Sequence, residues 1–378
     1  MKIVIAPDSF KGSLSALKAA QSVALGLARV WPEAELVLFP IADGGEGTVE
    51  TLVALTNGTL YEDEALDPLG RPVKAIYGFL GDGRTAVVET ASASGLTRLA
   101  PEELDPTKAS TYGLGQQILQ VIERGAEKLI VGLGGSGTND AGSGMLKALG
   151  LKLLDKDGRE LPPGGLPLRE LDRIDPSGLR PELARLPIAV ASDVQNPLVG
   201  PDGASAVFGP QKGATPELVP QLDGALGRFA ECAEKVTGRN VLTSPGSGAA
   251  GGLGAAFRLF TNAEFRPGVE LILAEGRFRE KAQGASLIVT GEGRSDGQTV
   301  WGKAPVGVSA LGAELGVPVV CLSGGLAEGY QKMYDKNILA VMSVIPRPMT
   351  LAEAMSDAEP LLVEAAERLA RLINVQMK

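Results

Sequence analysis

Short apolar runs that end in glycine- and aspartate-rich loops recur along this 378-residue chain. The runs are rich in β-branched residues and show no polar alternation, as expected for parallel strands that are covered on both faces. Helical patterns with an apolar stripe, such as residues 13–30 and 351–373, separate several of them. This alternation predicts an α/β protein. The runs lie at residues 3–5, 36–39, 129–133, 188–190, 287–289, 317–322 and 338–344.

The segment from Leu60 to Glu89 interrupts this alternation. Turn signals at residues 67–70 and 81–83 divide it into three short runs, which is typical of an antiparallel meander. Because meanders are uncommon in doubly wound sheets, we expect residues 59–284 to form a second α/β domain. It would be inserted into a first domain of residues 1–58 and 285–378, predicted to be a flavodoxin-like doubly wound parallel sheet of five strands. A binding site is expected in the cleft between the two domains.

The composition argues against several functional classes. The 36 basic and 45 acidic residues give a net charge of −9, so we expect no nucleic-acid partner. Two cysteines are too few for a disulfide framework and fit a reducing compartment. The N-terminus lacks the apolar core of a signal peptide and the apolar runs are too short to span a bilayer. We therefore expect a cytoplasmic protein without a membrane partner.

Four loops combine glycines with aspartate or glutamate directly after predicted strands. Their glycines would let backbone N–H groups approach an anion, and their carboxylates could bind a cation such as Mg²⁺. Because the chain has no histidine, a Ser-His-Asp relay is excluded and carboxylates and lysines remain for proton chemistry. Sheet topology could gather the acids at one rim, although each alone could be a helix cap or turn former. The loops are residues 6–12, 42–48, 134–140 and 291–297, and the acids are Asp8, Asp43, Glu46, Asp193, Glu292 and Asp296.

Three lysines are candidates for binding an anion. Lys11 precedes the first long helix, which Ser13 is expected to cap. Lys212 lies in the loop 208–214, where a turn with a solvated lysine is the alternative. Residues 297–304 nearly match the Walker A spacing, with Lys303 at the lysine position. At the last position, Ala304 lacks the hydroxyl that this motif needs for Mg²⁺. Lys303 could still meet a phosphate where a helix begins, with a solvated lysine again as the alternative.

The segment from Gly132 to Gly137 matches the G-x-G-x-x-G pattern of dinucleotide-binding sites, with Asp155 at the end of a later apolar run. The segment available for a crossover helix, about residues 139–149, is short for this purpose. A loop that binds phosphate or substrate oxygens is therefore the better interpretation. An NAD(P)-dependent hydroxy-acid dehydrogenase stays open as the alternative enzyme, and a hydroxy-acid sensor as the non-enzymatic one.

These motifs together resemble the bacterial glycerate kinases, which phosphorylate D-glycerate with ATP. The resemblance runs essentially end to end and implies a flavodoxin-like domain interrupted by a mixed-sheet α/β domain similar to restriction endonucleases. Thr90 stands where a methionine is expected in many relatives. The segments that carry the resemblance are residues 6–12, 42–48, 89–96, 134–142, 192–198, 209–214 and 291–296.

The predicted reaction is transfer of the ATP γ-phosphoryl group to D-glycerate with Mg²⁺, and the resemblance favours the 2-hydroxyl. Phosphoryl transfer requires positioning, charge neutralisation and deprotonation of the acceptor hydroxyl. Asp193 and Asp296 are candidates for Mg²⁺ ligand and general base, without a division of roles, and Lys11 joins them as a catalytic candidate. Asp43, Glu46 and Glu292 are the other metal candidates. Candidates for binding substrate or phosphate are Asp8, Ser9, Lys11, Gly134, Gly135, Ser136, Gly137, Thr138, Asn139, Lys212, Arg294 and Lys303. Whether the chain is a homo-oligomer is left open.

Overall fold

A computed structural model describes residues 1–300 and 302–376 of the chain. Trp301, within the near-Walker segment, lies outside the described residues. The strands are β1 (Lys2–Pro7), β2 (Glu35–Leu38), β3 (Thr59–Leu66), β4 (Pro72–Phe79), β5 (Thr85–Glu89), β6 (Lys128–Gly132), β7 (Lys152–Leu154), β8 (Arg173–Asp175), β9 (Ile188–Ala191), β10 (Glu264–Arg266), β11 (Leu287–Ser295), β12 (Val319–Leu326) and β13 (Ile338–Ser343). The α-helices are α1 (Ala16–Ala28), α2 (Thr48–Thr56), α3 (Thr90–Ser94), α4 (Tyr112–Glu123), α5 (Ser143–Ala148), α6 (Ala204–Phe208), α7 (Val219–Thr237), α8 (Ala249–Phe260), α9 (Gly268–Glu275), α10 (Phe278–Ala282), α11 (Ala304–Glu314), α12 (Leu351–Ser356) and α13 (Ala358–Gln376).

The chain divides into two compact units. The first contains residues 1–43, 54–56 and 269–378, and the second contains residues 44–53 and 57–268. These divisions fall at other positions than the domain limits expected from the sequence, 58/59 and 284/285, which stay a prediction.

The first unit is built on a parallel sheet with the order β13-β12-β11-β1-β2. This is the flavodoxin-like order, because the second strand lies at one edge and the first strand lies inside it. Val4 pairs with Ile288 of β11 and with Val37 of β2, and both Val4 and Ile288 are fully buried. Helices α1 and α13 pack closely, since a Cβ on Gly26 would lie 2.2 Å from the Val363 carbonyl oxygen. The predicted flavodoxin-like class is confirmed.

The second unit contains a mixed sheet with the order β10-β9-β6-β5-β4-β3. Strands β3, β4 and β5 pair antiparallel in sequence order, so the predicted meander is confirmed. Strands β5, β6, β9 and β10 are parallel, and the core packs around Val88, Val131 and Val190. The mixed α/β class expected for this part of the chain is confirmed as well.

Two local predictions about helices are wrong. The cap of α1 is Ser15, whose Oγ accepts a hydrogen bond from the Lys18 N–H at 3.3 Å, whereas the Ser13 hydroxyl donates to the Phe10 carbonyl. The C-terminal pattern predicted one helix over 351–373, but α12 ends at Ser356 and α13 begins at Ala358. Both errors concern boundaries, where several serines or a short break fit one periodicity equally well.

A membrane-spanning helix is absent from residues 1–300 and 302–376, since none of the helices there combines the needed length with sufficient apolar character.

Candidate active site

A cavity of about 430 Å³ lies in the first unit, beside the carboxyl ends of β1 and β11. Parallel strands end at the same edge of their sheet, so the loops that follow them meet there. Charged and hydroxyl-bearing side chains form one part of its wall and apolar side chains form another. The charged and hydroxyl-bearing part comprises Asp8, Ser9, Lys11, Ser13, Asp43, Glu292, Arg294 and Lys303.

Asp8, Lys11 and Asp43 form the first charged group of this cavity. Lys11 Nζ donates to Asp43 Oδ2 at 2.9 Å, but Lys11 is largely exposed and such a pair contributes little to stability. Asp8 Oδ1 accepts a hydrogen bond from the Ser9 N–H at 2.6 Å. Burial, with the negative charge of Asp43, raises the pKa of Asp8 to about 7. A carboxyl with such a pKa exchanges its proton near neutral pH.

Glu292, Asp296 and Lys303 form the second group. The Glu292 side chain is 7% exposed, and its Oε1 accepts hydrogen bonds from the hydroxyls of Ser295 and Thr299, both at 2.8 Å. Burial raises the pKa of Glu292, and these two hydrogen bonds oppose the shift. Lys303 Nζ lies 3.8 Å from Glu292 Oε2 and 3.7 Å from Asp296 Oδ1. The carboxylates thus hold an ammonium where helix α11 begins.

Arg294 completes the cationic side of the cavity. Its Nε lies 3.9 Å from Asp296 Oδ2, and its side chain is 72% exposed. The guanidinium is therefore accessible to an anion. Of the residues that the sequence singled out, Asp8, Lys11, Asp43, Glu292, Arg294 and Lys303 line this cavity, and their roles stay a prediction.

Replacing Asp8 with asparagine tests the shifted pKa. Between pH 4 and pH 7 the native carboxyl keeps a proton that the unfolded chain has released, so the free energy of unfolding falls as the pH rises. Asp8→Asn removes this loss, and we expect the variant to be more stable than the wild type at pH 8 by up to about 4 kcal/mol, with little difference at pH 4. Urea unfolding at both pH values, without nucleotide or Mg²⁺, measures it. A variant less stable than the wild type at pH 8 would contradict the assignment.

The second unit contains the glycine loop, residues 134–140. Two of its N–H groups are already engaged: Gly134 donates to the Gly44 carbonyl at 3.0 Å and Gly137 to the Ser94 carbonyl at 2.9 Å. A Cβ on Gly134 would lie 2.5 Å from Gly45 Cα. These two glycines therefore serve close packing between loops, and their N–H groups are not free for an anion as the sequence had suggested.

Lys212 contacts the glycine loop through its side chain. Its side chain is buried, and its Nζ donates to Ser136 Oγ at 2.9 Å and to the Thr138 carbonyl at 2.6 Å. The alternative of a solvated lysine in a turn is wrong. Burial lowers the pKa of Lys212 to about 7, and the nearby charge of Asp140 opposes this shift. In this conformation the ammonium holds the loop rather than facing solvent.

The polar residues that follow in the glycine loop are buried. Asp140 accepts hydrogen bonds from the N–H groups of Thr111, Gly142 and Gly144 at 2.9–3.1 Å. Asn139 Nδ2 donates to Ser205 Oγ at 2.9 Å. Among the described residues, Thr138 Oγ1 and Asn139 Oδ1 are buried without a hydrogen-bond partner. Unpaired buried polar atoms are costly, so these two atoms call for an explanation.

The loop does not have the setting of a dinucleotide site. Helix α5 begins only at Ser143, after buried polar residues, rather than directly after Gly137. A Rossmann site needs the helix N-terminus at the glycines. The dehydrogenase alternative loses its structural basis.

The other predicted acids of the second unit are exposed. Glu46 precedes α2 and Asp193 follows β9, and both side chains are exposed.

Sequence reasoning assigned no role to Glu89, whose carboxylate accepts hydrogen bonds from the N–H groups of Gly47 and Val49 at 3.3 and 3.0 Å. Burial raises the pKa of Glu89 to about 7. A glutamate that caps a helix from a distant strand leaves no local sequence signal.

A preformed metal centre of three or more His, Cys, Asp or Glu side chains is not found among residues 1–300 and 302–376. Mg²⁺ in phosphoryl-transfer sites needs only one or two carboxylates, because phosphate oxygens and water complete its shell. Asp43 and Glu292 line the cavity with oxygen donors of the right type, so these residues fit such an ion.

Comparisons with known proteins show the family of the chain. The model of the glycerate kinase family matches residues 3–374. A glycerate kinase from Bacillus subtilis (strain 168) is 46% identical over 100% of this chain and 98% of its own length. A glycerate 2-kinase from Escherichia coli (strain K12) is 43% identical over 100% of this chain and 99% of its own. A crystal structure from Salmonella typhimurium LT2, of a protein assigned as glycerate kinase 2, superposes with a TM-score of 0.88 at 43% identity, covering 100% and 99% of the two chains. The chain therefore belongs to the glycerate kinase family and is a kinase.

Proposed function

We propose that this kinase transfers the γ-phosphoryl group of ATP to the 2-hydroxyl of D-glycerate and that Mg²⁺ accompanies the nucleotide. The observation that carries the proposal is the cavity of the first unit, where Lys11, Arg294 and Lys303 alternate with buried or half-buried carboxylates. The 2-hydroxyl is favoured because the Escherichia coli relative is a glycerate 2-kinase.

The cations would offset charge on the phosphates. Lys303 and Arg294 are already paired with Asp296, so a bound phosphate would compete for donors that face the cavity. Lys11 would serve the phosphates or the glycerate carboxylate from the opposite loop. Positioning and charge neutralisation supply most of the catalysis in phosphoryl transfer.

A carboxylate would accept the proton of the acceptor hydroxyl, and we keep Asp193 and Asp296 as the two candidates. As the hydroxyl oxygen bonds to the γ-phosphorus, its proton passes to the carboxylate and the bond from the γ-phosphorus to the bridging oxygen breaks. One or two carboxylates would hold Mg²⁺, which would neutralise phosphate charge when bound. The candidates are Asp43, Glu46, Asp193, Glu292 and Asp296. Asp8 and Ser9 would contact the substrates at the end of β1.

The glycine loop with Ser136, Thr138 and Asn139 is proposed to contact the substrates. Its Thr138 hydroxyl and Asn139 amide oxygen are buried and have no hydrogen-bond partner among the described residues, so a substrate that reaches the loop could pair with them. We also propose a cytoplasmic location, which the free, buried Cys232 and Cys321 support because unpaired thiols persist in a reducing compartment.

The direct test is an assay that couples ADP release to NADH oxidation, with D-glycerate, ATP and Mg²⁺. Phosphorus NMR of the product should show a phosphate ester coupled to one proton, the signature of a secondary ester at the 2-position. A resonance coupled to two protons would identify 3-phosphoglycerate and overturn the regiochemistry. Absence of D-glycerate-dependent ADP release would overturn the activity itself.

A further inference from the structure

The cavity of the first unit has an apolar wall that glycerate does not require. Val344, Ile345, Leu351 and Met355 line it together with two alanines. A three-carbon hydroxy acid is polar at every position, so it gains nothing from this surface. A ligand with one charged end and one flat apolar end would use both parts of the cavity.

Two side chains of this wall are exposed without an apolar partner to cover them fully. Leu351 is 76% exposed and Met355 is 37% exposed, although both are large apolar residues. Apolar surface beside a charged cavity is typical of a ligand-binding site. Val344, at 3% exposure, lines the cavity and also belongs to the hydrophobic core of the first unit.

A capping box defines the start of the helix that carries Leu351 and Met355. Thr350 caps α12, with its Oγ1 accepting from the Glu353 N–H at 3.2 Å while the Glu353 carboxylate accepts from the Thr350 N–H at 2.7 Å. This capping box sets where Leu351 begins the helix. A preorganised surface loses little entropy when a ligand binds.

The apolar wall is continuous with the cationic side. Gly12 has a positive φ of 80°, and a Cβ there would lie 2.7 Å from Met355 Cε. The Met355 methyl therefore lies against the backbone next to Lys11. On the other side of the cavity, α11 begins at Ala304, where the helix dipole and Lys303 both favour negative charge.

We propose that this cavity binds the nucleoside triphosphate, with the base on the wall of Leu351 and Met355 and the phosphates toward Lys303, Arg294 and Lys11. A flat aromatic base packs against leucine and a methionine thioether, which is polarisable and favours aromatic contacts. The assignment deepens the proposed kinase function and rests on it for the identity of the nucleotide.

Leu351→Ser is the test, with Leu339→Ser as its control. Leu339 lies on β13 of the same unit, is 69% exposed and is not among the cavity residues. Loss of the apolar contact should raise KM for ATP and Kd for ADP on the order of 10-fold, with kcat and KM for D-glycerate little changed. Leu339→Ser should match the wild type in all four constants.

Inorganic tripolyphosphate probes the cationic part of the cavity without the apolar wall. It has no base, so its Kd measured by calorimetry should be the same for wild type and Leu351→Ser, while Kd for ADP differs. A rise in KM for D-glycerate with unchanged Kd for ADP would overturn the assignment, and so would unchanged constants for both ligands. If the wild type fails to phosphorylate D-glycerate but Leu351→Ser still weakens ADP binding, the proposed function fails and the nucleotide site stands.

Discussion

Replacing Asp296 with asparagine is expected to lower kcat on the order of 10²-fold or more if this carboxylate is the general base. Asp296 lies directly after β11, is 23% exposed, and has Lys303 and Arg294 within 3.9 Å. Phosphate drawn to these cations would come close to the carboxylate. The amide has the same shape but cannot accept the proton, so kcat should fall.

Asp193→Asn is the matched experiment in the second unit, since the sequence left the base undecided between the two residues. We expect the variant that removes the base to lose kcat, and the other to raise the Mg²⁺ concentration needed for half-maximal rate. Asp335→Asn and Asp202→Asn replace exposed aspartates of the same two units and should leave kcat unchanged. Near-wild-type kcat in both Asp296→Asn and Asp193→Asn would show that neither is the base.

Lys212→Met is expected to lower kcat on the order of 10²-fold while the protein remains folded. The methionine fills the space but removes both hydrogen bonds that hold Ser136 and Thr138, so the glycine loop loses its position. The pH dependence of the free energy of unfolding distinguishes this loss from a simple core defect. Because burial lowers the pKa of Lys212 to about 7, wild-type stability rises between pH 7 and pH 10, and the variant should lack this rise.

Lys147→Met is a control for losing a partly buried lysine. Lys147 Nζ donates to the Leu161 carbonyl at 2.6 Å, and burial lowers its pKa too, but it does not hold the glycine loop. This variant should change stability and leave kcat within about twofold of wild type, since it lies outside the loop. Equal losses of kcat in Lys147→Met and Lys212→Met would show that Lys212 acts only through stability.

A Lys212→Arg variant should not rescue activity, because the site is buried and the guanidinium is larger.

Much of the fold was predictable because its strands are short, strongly apolar runs that can be recognised from the local sequence. The runs at 3–5 and 287–289 became β1 and β11, and the turns at 67–70 and 81–83 separated the meander strands. The cavity acids Asp8, Asp43 and Glu292 could also be anticipated, since residues that follow parallel strands collect at one sheet edge.

Other properties depended on residues distant in sequence. Lys212 looked like a turn lysine, yet its partners Ser136 and Thr138 lie more than seventy residues away. The glycines at 134 and 137 resembled an anion loop, but their N–H groups bind the carbonyls of Gly44 and Ser94. Single-sequence patterns report periodicity and turn chemistry, and neither contains these pairings.

The sequence by itself determined the α/β class, the flavodoxin-like strand order and the family, because each follows from local patterns or ordered motifs. Only the tertiary structure decided which groups are buried and which are paired: the raised pKa of Asp8, the lowered pKa of Lys212 and the uncovered wall of Leu351 and Met355. The physical reason is that desolvation and hydrogen bonding depend on the neighbours that folding supplies, not on the neighbours along the chain.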